Sequence, residues 1–178
     1  NLRLIDGKPL ISYVLEIVKK CDVFDEIYLN SEAEIFDGIA KEYGVKFYKR
    51  PPEHSTDKST NDEFALDFME KIPGDILIQI LPTSPLITTQ EILTFEEEMV
   101  KKDYETLISV EHKQIACLYE EQPLNFDKIK VNPPSQEMNP VMAYATVLMG
   151  WKYESFKKNM AQYGSAYHGG HGKTGYFE

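Results

Sequence analysis

Ile76-Leu77-Ile78-Gln79-Ile80-Leu81-Pro82-Thr83-Ser84-Pro85-Leu86 decides how the rest of the chain is read. Its first six residues are apolar except Gln79. So short a run, rich in isoleucine and leucine, predicts a strand buried on both faces of a parallel sheet. Pro82 and Pro85 cannot donate to a sheet ladder, so the strand ends before them. Thr83 and Ser84 are left at its carboxyl end, the edge at which open α/β sheets hold their ligands.

Outward from this stretch, helices alternate with strands. Thr60-Asn61-Asp62-Glu63 and Thr88-Thr89-Gln90-Glu91 both have capping-box spacing and open helices on either side. The first turns Phe64, Phe68 and Ile72 inward; the second turns Ile92, Phe95 and Met99 inward. Upstream, the Gly7-Lys8-Pro9 turn precedes a helix with Leu10, Tyr13, Val14, Ile17 and Val18 on one face. A strand at Ile27–Leu29 ends at Asn30-Ser31. A helix carrying Ile35, Ile39, Ala40 and Tyr43 stops at Gly44, and a strand at Val45–Tyr48 ends at Lys49-Arg50-Pro51-Pro52. Downstream, Thr106–Val110 is the next strand. The alternation predicts right-handed crossovers and an α/β fold with a doubly wound, mostly parallel sheet. Residues 111–142 break the pattern with Leu118-Tyr119 and Pro133-Pro134, which predicts a small excursion, an arm or subdomain. Ala143–Trp151 returns to strand character, and Tyr153, Phe156 and Met160 suggest one more helix. Residues 1–178 read as one domain. Both ends read as cut: no methionine precedes Asn1, and Tyr176-Phe177-Glu178 resembles the start of another element.

The bulk numbers narrow the function. With 42% hydrophobic and 27% charged residues the chain is ordinary globular material. Nineteen basic against twenty-nine acidic residues give a net charge of −10, which argues against a nucleic-acid surface yet leaves a nucleotide ligand open. No apolar run approaches a membrane span, so no membrane partner is expected. Cys21 and Cys117 are isolated, without metal spacing, and read as small buried residues in a reducing cytoplasm.

If the sheet is parallel, its carboxyl edge gathers Asn30-Ser31, Lys49-Arg50-Pro51, Leu81 to Ser84 and Val110-Glu111-His112. Arg50 either offers a planar fork to a base carbonyl or phosphate, or is a solvated surface arginine. Ser31, Asn61, Thr83 and Ser84 add neutral hydrogen-bonding groups. Asp75 precedes its strand and so lies at the opposite edge, which discounts it as a metal ligand. Asp57 reads as a turn or cap residue. His168-Gly169-Gly170-His171-Gly172-Lys173-Thr174 contains Gly-Lys-Thr, but Tyr167 stands where a phosphate loop needs its first glycine. His168 and His171 lack a third ligand nearby, and a flexible glycine-rich loop is expected.

Taken with these residues, the chain resembles the acylneuraminate cytidylyltransferase family, the CMP-sialic acid synthetases and their relatives. The resemblance rests on Asn1-Leu2 with Asp6-Gly7-Lys8-Pro9-Leu10-Ile11, on Arg50-Pro51 with the polar loop to Asn61, on Leu81 to Leu86, and on Ser135-Gln136 with Asn139-Pro140-Val141. It implies a Rossmann-like nucleotidyltransferase fold that transfers CMP from CTP to an acidic, sialic-acid-like keto-sugar, releasing pyrophosphate with Mg²⁺ assistance. It also implies that Arg50, Thr60 or Asn61, and Thr83-Ser84 line the cytidine pocket and that Gln136 reaches the sugar. Asn1 would end a triphosphate loop whose basic residues lie upstream. Metal carboxylates would lie beyond Glu178, so no metal ligand is expected between Asn1 and Glu178, and residues 111–142 would form the contact of a homodimer. The resemblance also implies departures at Leu81, where many relatives carry glutamine, and at Ala145-Thr146 or their neighbours, where relatives carry an Asn-Gly pair. The alternatives are a nucleotidyltransferase of the same fold with another acceptor or nucleotide, or a catalytically silent nucleotide- or sugar-binding dimer.

Overall fold

The computed structural model describes residues 1–178. Asp6 and Gly7, both at positive φ, turn a minimal hairpin between β1 (Leu4–Ile5) and β2 (Lys8–Pro9), and Pro9 leads into α1 (Leu10–Val18). Then follow β3 (Tyr28–Ser31), α2 (Ile35–Tyr43), β4 (Lys46–Lys49), a 3₁₀ turn at Pro52–His54 and α3 (Asn61–Lys71). β5 (Ile76–Ile80), α4 (Thr89–Lys101) and β6 (Thr106–Lys113) complete the predicted alternation. Both predicted capping boxes form, at Thr60 with Glu63 and at Thr88 with Glu91. Beyond them lie β7 (Leu118–Tyr119), β8 (Gln122–Pro123), a 3₁₀ turn at Ser135–Glu137, β9 (Val141–Lys152), α5 (Tyr153–Tyr163) and β10 (Thr174–Phe177).

The α/β architecture is as expected, and its sheet is mixed. The main sheet has the order β10-β6-β9-β5, with β10 parallel to β6 and β9 antiparallel to both of its neighbours. β3 and β4 form a separate parallel pair. One expectation is corrected here. β5 is not a strand buried on both faces among parallel neighbours: it is half-buried, pairs only with antiparallel β9, and starts at the exposed Ile76. The cause is the return of the chain from residues 111–142, which inserts β9 between β5 and β6.

Helices on both faces join the two sheets. On one face, Ile92, Phe95 and Met99 of α4 are fully buried against Leu107, Leu148 and the α1 residues Val14 and Val18. α1 also reaches β3, packing Ile11 and Leu15 on Leu29 and Ala40. On the other face, Ala65 and Met69 of α3 join Ile108, Met149, Trp151 and Phe156. α3 reaches the second sheet through Phe68, whose ring meets Tyr48 and Tyr28 edge-on at 5.0 and 5.2 Å. Each large apolar side chain so buried contributes about 2 kcal/mol.

The excursion is tied at its root by Asn125. Its Nδ2 donates to the carbonyls of Ile115 and Asn139, both at 2.8 Å, while its Oδ1 accepts from the Cys117 N–H. Cys21 is buried as expected, but Cys117 is only partly so because it sits at this root. The glycine-rich stretch is likewise not a loose loop. Asn159 Nδ2 donates to the Gly169 carbonyl at 3.1 Å, and a Cβ on Gly170 would lie 2.8 Å from Asn159 Oδ1. Close packing, and not flexibility, accounts for those glycines.

The tightest packing point is Gly150 in β9, where a Cβ would fall 2.5 Å from Met99 Sδ and 3.1 Å from a Phe95 ring carbon. Gly150→Ala is expected to destabilise the chain by about 2 kcal/mol, read as a drop of about 4–8 °C in thermal midpoint. An unchanged midpoint would show that the α4–β9 contact yields without loss.

Candidate functional site

The carboxyl edge of the β3–β4 pair is built by register. Asn30 pairs with Tyr48 and Ser31 with Lys49, and the Arg50 N–H donates to the Ser31 carbonyl at 3.0 Å. Tyr48 and Arg50, two residues apart, lie on the face covered by α3. The Tyr48 hydroxyl donates to Asp67 Oδ2, Lys71 Nζ donates to Asp67 Oδ1, and His54 Nε2 stands 3.8 Å from that carboxylate. Burial, with the Asp67 carboxylate beside it, pushes the Tyr48 hydroxyl up to about 12. Burial also opposes charge on Asp67, but Lys71 and Tyr48 outweigh it and hold that carboxyl below its usual value. This buried network fastens the β4–α3 connection to the helix.

Arg50 is not a solvated arginine. Its side chain is 20% exposed, and its guanidinium lies 5.0 Å over the Phe64 ring. Nη2 donates to Glu32 Oε2 at 2.8 Å, and this bond holds the Glu32 carboxyl below its ordinary value. Nε is buried without an acceptor, and Asn30 Oδ1 is buried without a donor.

The start of α3 is organised as its capping-box spacing predicts. The Thr60 hydroxyl caps the helix, accepting from the Glu63 N–H at 3.2 Å and donating to Glu63 Oε2. That leaves Asn61, half-buried against the Tyr167 hydroxyl, as the residue at this helix start with a side chain to offer. Asp62 Oδ1 accepts from the backbone N–H groups of Ala166 and Tyr167 at 2.5 and 2.8 Å, pinning the segment after α5 to the N-terminus of α3. His168 then lies between Tyr167, met edge-on at a centroid distance of 5.0 Å, and Tyr144, tilted at 5.5 Å, whereas His171 meets Tyr163 edge-on. The two histidines face different partners and do not form a metal pair.

The turn after β5 holds its shape by backbone bonds, Ser84 N–H to the Leu81 carbonyl and Ile87 N–H to the Ser84 carbonyl. Thr83 is exposed and Ser84 half-buried. At the amino end of β5 the Tyr153 N–H donates to the Asp75 carbonyl at 2.9 Å, which fixes the start of α5 there. Arg50 meets α3 at Phe64, in the first turn that Asn61 opens, whereas the Thr83-Ser84 turn follows β5 in the other sheet; β3 and β5 do not pair, and no hydrogen bond links that turn to Arg50. Asn1 is exposed and its carbonyl accepts from the Ile11 N–H at the start of α1. Gln136 is exposed on the excursion, its backbone carbonyl accepting from Gln114 Nε2 at 3.2 Å, and it is not joined to the others. No three His, Cys, Asp or Glu side chains gather in a geometry fit to hold a metal ion.

Beside the turn, the Leu81 N–H donates to the Val147 carbonyl at 3.0 Å. There β9 bulges: its register against β6 shifts between Ile108 and Val110, and Ser109 Oγ accepts from the N–H groups of Val147 and Leu148. Thr146 carries the bulge at φ +54°, a left-handed conformation that strains a β-branched residue. Glycine would adopt it with little strain.

Sequence reasoning missed Glu32, Phe64, Asp62, Tyr144 and Tyr167 around this edge. Glu32 could have been found, since an acid directly after one strand end faces a base directly after its neighbour's. Asp62 gave no such signal, because its partners lie 104 and 105 residues away.

Residues 1–162 match the profile of the family described as Cytidylyltransferase. N-acylneuraminate cytidylyltransferase of Escherichia coli O18:K1:H7 is 30% identical over 162 residues, covering 89% of this chain and 34% of that protein. The chain spans about a third of the length of the curated relatives it matches. In fold it resembles CMP:2-keto-3-deoxy-manno-octonic acid synthetase complexed with CTP, with a TM-score of 0.67 at 15% identity, over 90% of this chain and 70% of that one. It also resembles the bifunctional IspDF of Campylobacter jejuni, with a TM-score of 0.66 at 15% identity, over 96% of this chain and 42% of that one.

Thr146→Gly is expected to relieve the strain at the β9 bulge and stabilise the chain by about 1 kcal/mol. The thermal midpoint should rise by about 2–4 °C; a lower midpoint would mean that the threonine side chain contributes more than its backbone strain removes.

Proposed function

The chain belongs to the cytidylyltransferase family, and from that premise we propose that it binds CTP and transfers CMP to an acidic, sialic-acid-like keto-sugar. One observation carries the reading. The Arg50 fork is held over Phe64 of α3, the helix that Asn61 opens, at the carboxyl ends of β3 and β4. A rigid, partly desolvated guanidinium beside neutral donors suits the carbonyl and ring nitrogen of a pyrimidine base.

In the proposed reaction the anomeric hydroxyl of the sugar attacks the α-phosphorus of CTP. The new bond joins the sugar oxygen to phosphorus, the bond to the bridging oxygen breaks, pyrophosphate departs and the hydroxyl proton goes to solvent. Such a transfer asks for alignment and for charge neutralisation on the phosphates more than for a protein nucleophile. The chain's part is to seat the nucleoside, with Asn61 as the polar side chain at the α3 start and Thr60 as its cap. Asn1, beside the start of α1, is placed on the triphosphate side. Gln136 is assigned to the sugar, approached from the excursion. Mg²⁺ belongs to this proposal through the phosphates, since the chain's own carboxylates do not gather to hold it.

The same reading makes the protein a homodimer acting in the cytoplasm. Ile115, Leu118, Tyr119, Leu124, Ile129 and Val131 of the excursion are exposed, and an apolar surface of that kind suits a partner copy. No helix is long and apolar enough to cross a membrane, and both cysteines are free.

Incubation of the protein with CTP, Mg²⁺ and a panel of nine- and eight-carbon keto-acids should release pyrophosphate with at least one acid of the panel. No release with any of them would defeat the proposal. Arg50→Ala is expected to weaken CTP binding by about tenfold or more while leaving the far-ultraviolet circular dichroism unchanged. Calorimetry showing wild-type CTP affinity would remove Arg50 from the site.

A further inference from the structure

Glu32 has no part in the reading above, yet it is the residue that decides where the Arg50 fork points. It directly follows β3, as Arg50 directly follows β4, and the two strand ends are locked by the Arg50 N–H on the Ser31 carbonyl. The carboxylate takes one arm of the fork, Nη2, at 2.8 Å, while the ring of Phe64 lies under its plane at 5.0 Å. Ser31 Oγ reaches the same carboxylate oxygen at 3.5 Å, and the Ala33 N–H donates to Ser31 Oγ, so the acceptor is itself buttressed.

An exposed ion pair of this kind contributes little to stability. Arg50, however, is 20% exposed and Glu32 48% exposed, so the burial falls on the arginine. Stacking on Phe64 fixes the plane of the guanidinium but leaves it free to rotate within that plane, and a single hydrogen bond to one arm removes that freedom. The pairing also cancels the charge of the fork. A neutralised fork with free N–H donors prefers a neutral acceptor such as a base carbonyl over a phosphate, which is drawn by net charge. Nε is buried and unpartnered, so the N–H groups left to read a base are those of the outer guanidinium nitrogens.

We propose that Glu32 is a positioning residue that aims the Arg50 guanidinium at the pyrimidine ring and so sets the preference for CTP over other nucleoside triphosphates. This rests on the nucleotide reading of the site given above.

The experiment is calorimetric titration of the protein and its Glu32→Ala, Glu32→Gln, Arg50→Ala and Glu32→Ala/Arg50→Ala variants with CTP, UTP and pyrophosphate. Glu32→Ala should lose about tenfold in CTP affinity and most of its preference for CTP over UTP. Glu32→Gln, which still accepts the hydrogen bond but unmasks the charge, should stay within about threefold for CTP and bind pyrophosphate more tightly. The double variant should be no weaker than Arg50→Ala alone, because the two residues act as one unit. Wild-type CTP affinity and CTP-over-UTP preference in Glu32→Ala would overturn the proposal, as would full additivity in the double variant. A purely structural role would move the thermal midpoint without moving the base preference. Wild-type protein that binds no nucleotide would instead defeat the proposed function, a result distinct from variants that bind CTP as the wild type does.

Discussion

β9 runs antiparallel to both β5 and β6, and the rest of the molecule depends on where it lies. It supplies Leu148 to the core on one face of the sheet and Met149 and Trp151 to the core on the other. Without it, β5 would have no hydrogen-bonding neighbour at all. It also sets the site. The Leu81 N–H is satisfied by the Val147 carbonyl, so the chain reaches Pro82 and the Thr83-Ser84 turn already anchored. The bulge that allows this contact is closed by Ser109 Oγ and places Thr146 in a left-handed conformation. The strain at Thr146 thus has a structural cause that can be traced bond by bond.

Much of this fold was legible in the sequence because its signals are local. The capping boxes at Thr60 and Thr88, the glycine stop after α2 and the helical spacing of Ile92, Phe95 and Met99 each need only a few neighbouring residues to act. Strand direction is not local. β5 reads as buried among parallel neighbours because isoleucine and leucine dominate it, but the partner that covers it lies more than sixty residues downstream, from Leu148 to Lys152, and arrives after an excursion. Nothing in residues 76–81 encodes the direction of that partner. The same limit explains the glycine-rich stretch. Gly-Gly reads as freedom when alone and as close packing once Asn159 is known to lie over it.

The edge of the β3–β4 pair shows a similar division. Arg50 could be named from its place after a strand, but whether it was solvated or held depended on Phe64 and Glu32, which converge from α3 and β3. Between Thr60 and Asn61 the capping-box spacing already singled out Thr60 as the cap, and its hydroxyl is indeed taken up by Glu63. Asp62 carries no sequence signal of its role, since a carboxylate in the first turn of a helix is usual on electrostatic grounds alone. Its oxygen nevertheless fixes the backbone of Ala166 and Tyr167 and brings an aromatic group to the start of α3.

The proposed site would be a junction between two sheets that do not hydrogen-bond to each other. Arg50 and Glu32 belong to one sheet, Thr83 and Ser84 to the end of the other, and the helices α1 and α3 hold the two in register through side-chain packing. Packing transmits position less stiffly than a ladder of backbone bonds, because side chains can repack where paired strands cannot slide. A ligand engaging Arg50 on one side and the Thr83-Ser84 turn on the other would therefore add a link the backbone lacks between these strands. Binding at this edge should consequently stabilise the relation between the sheets as well as the loops that touch the ligand, in proportion to how tightly the folded form alone is recognised.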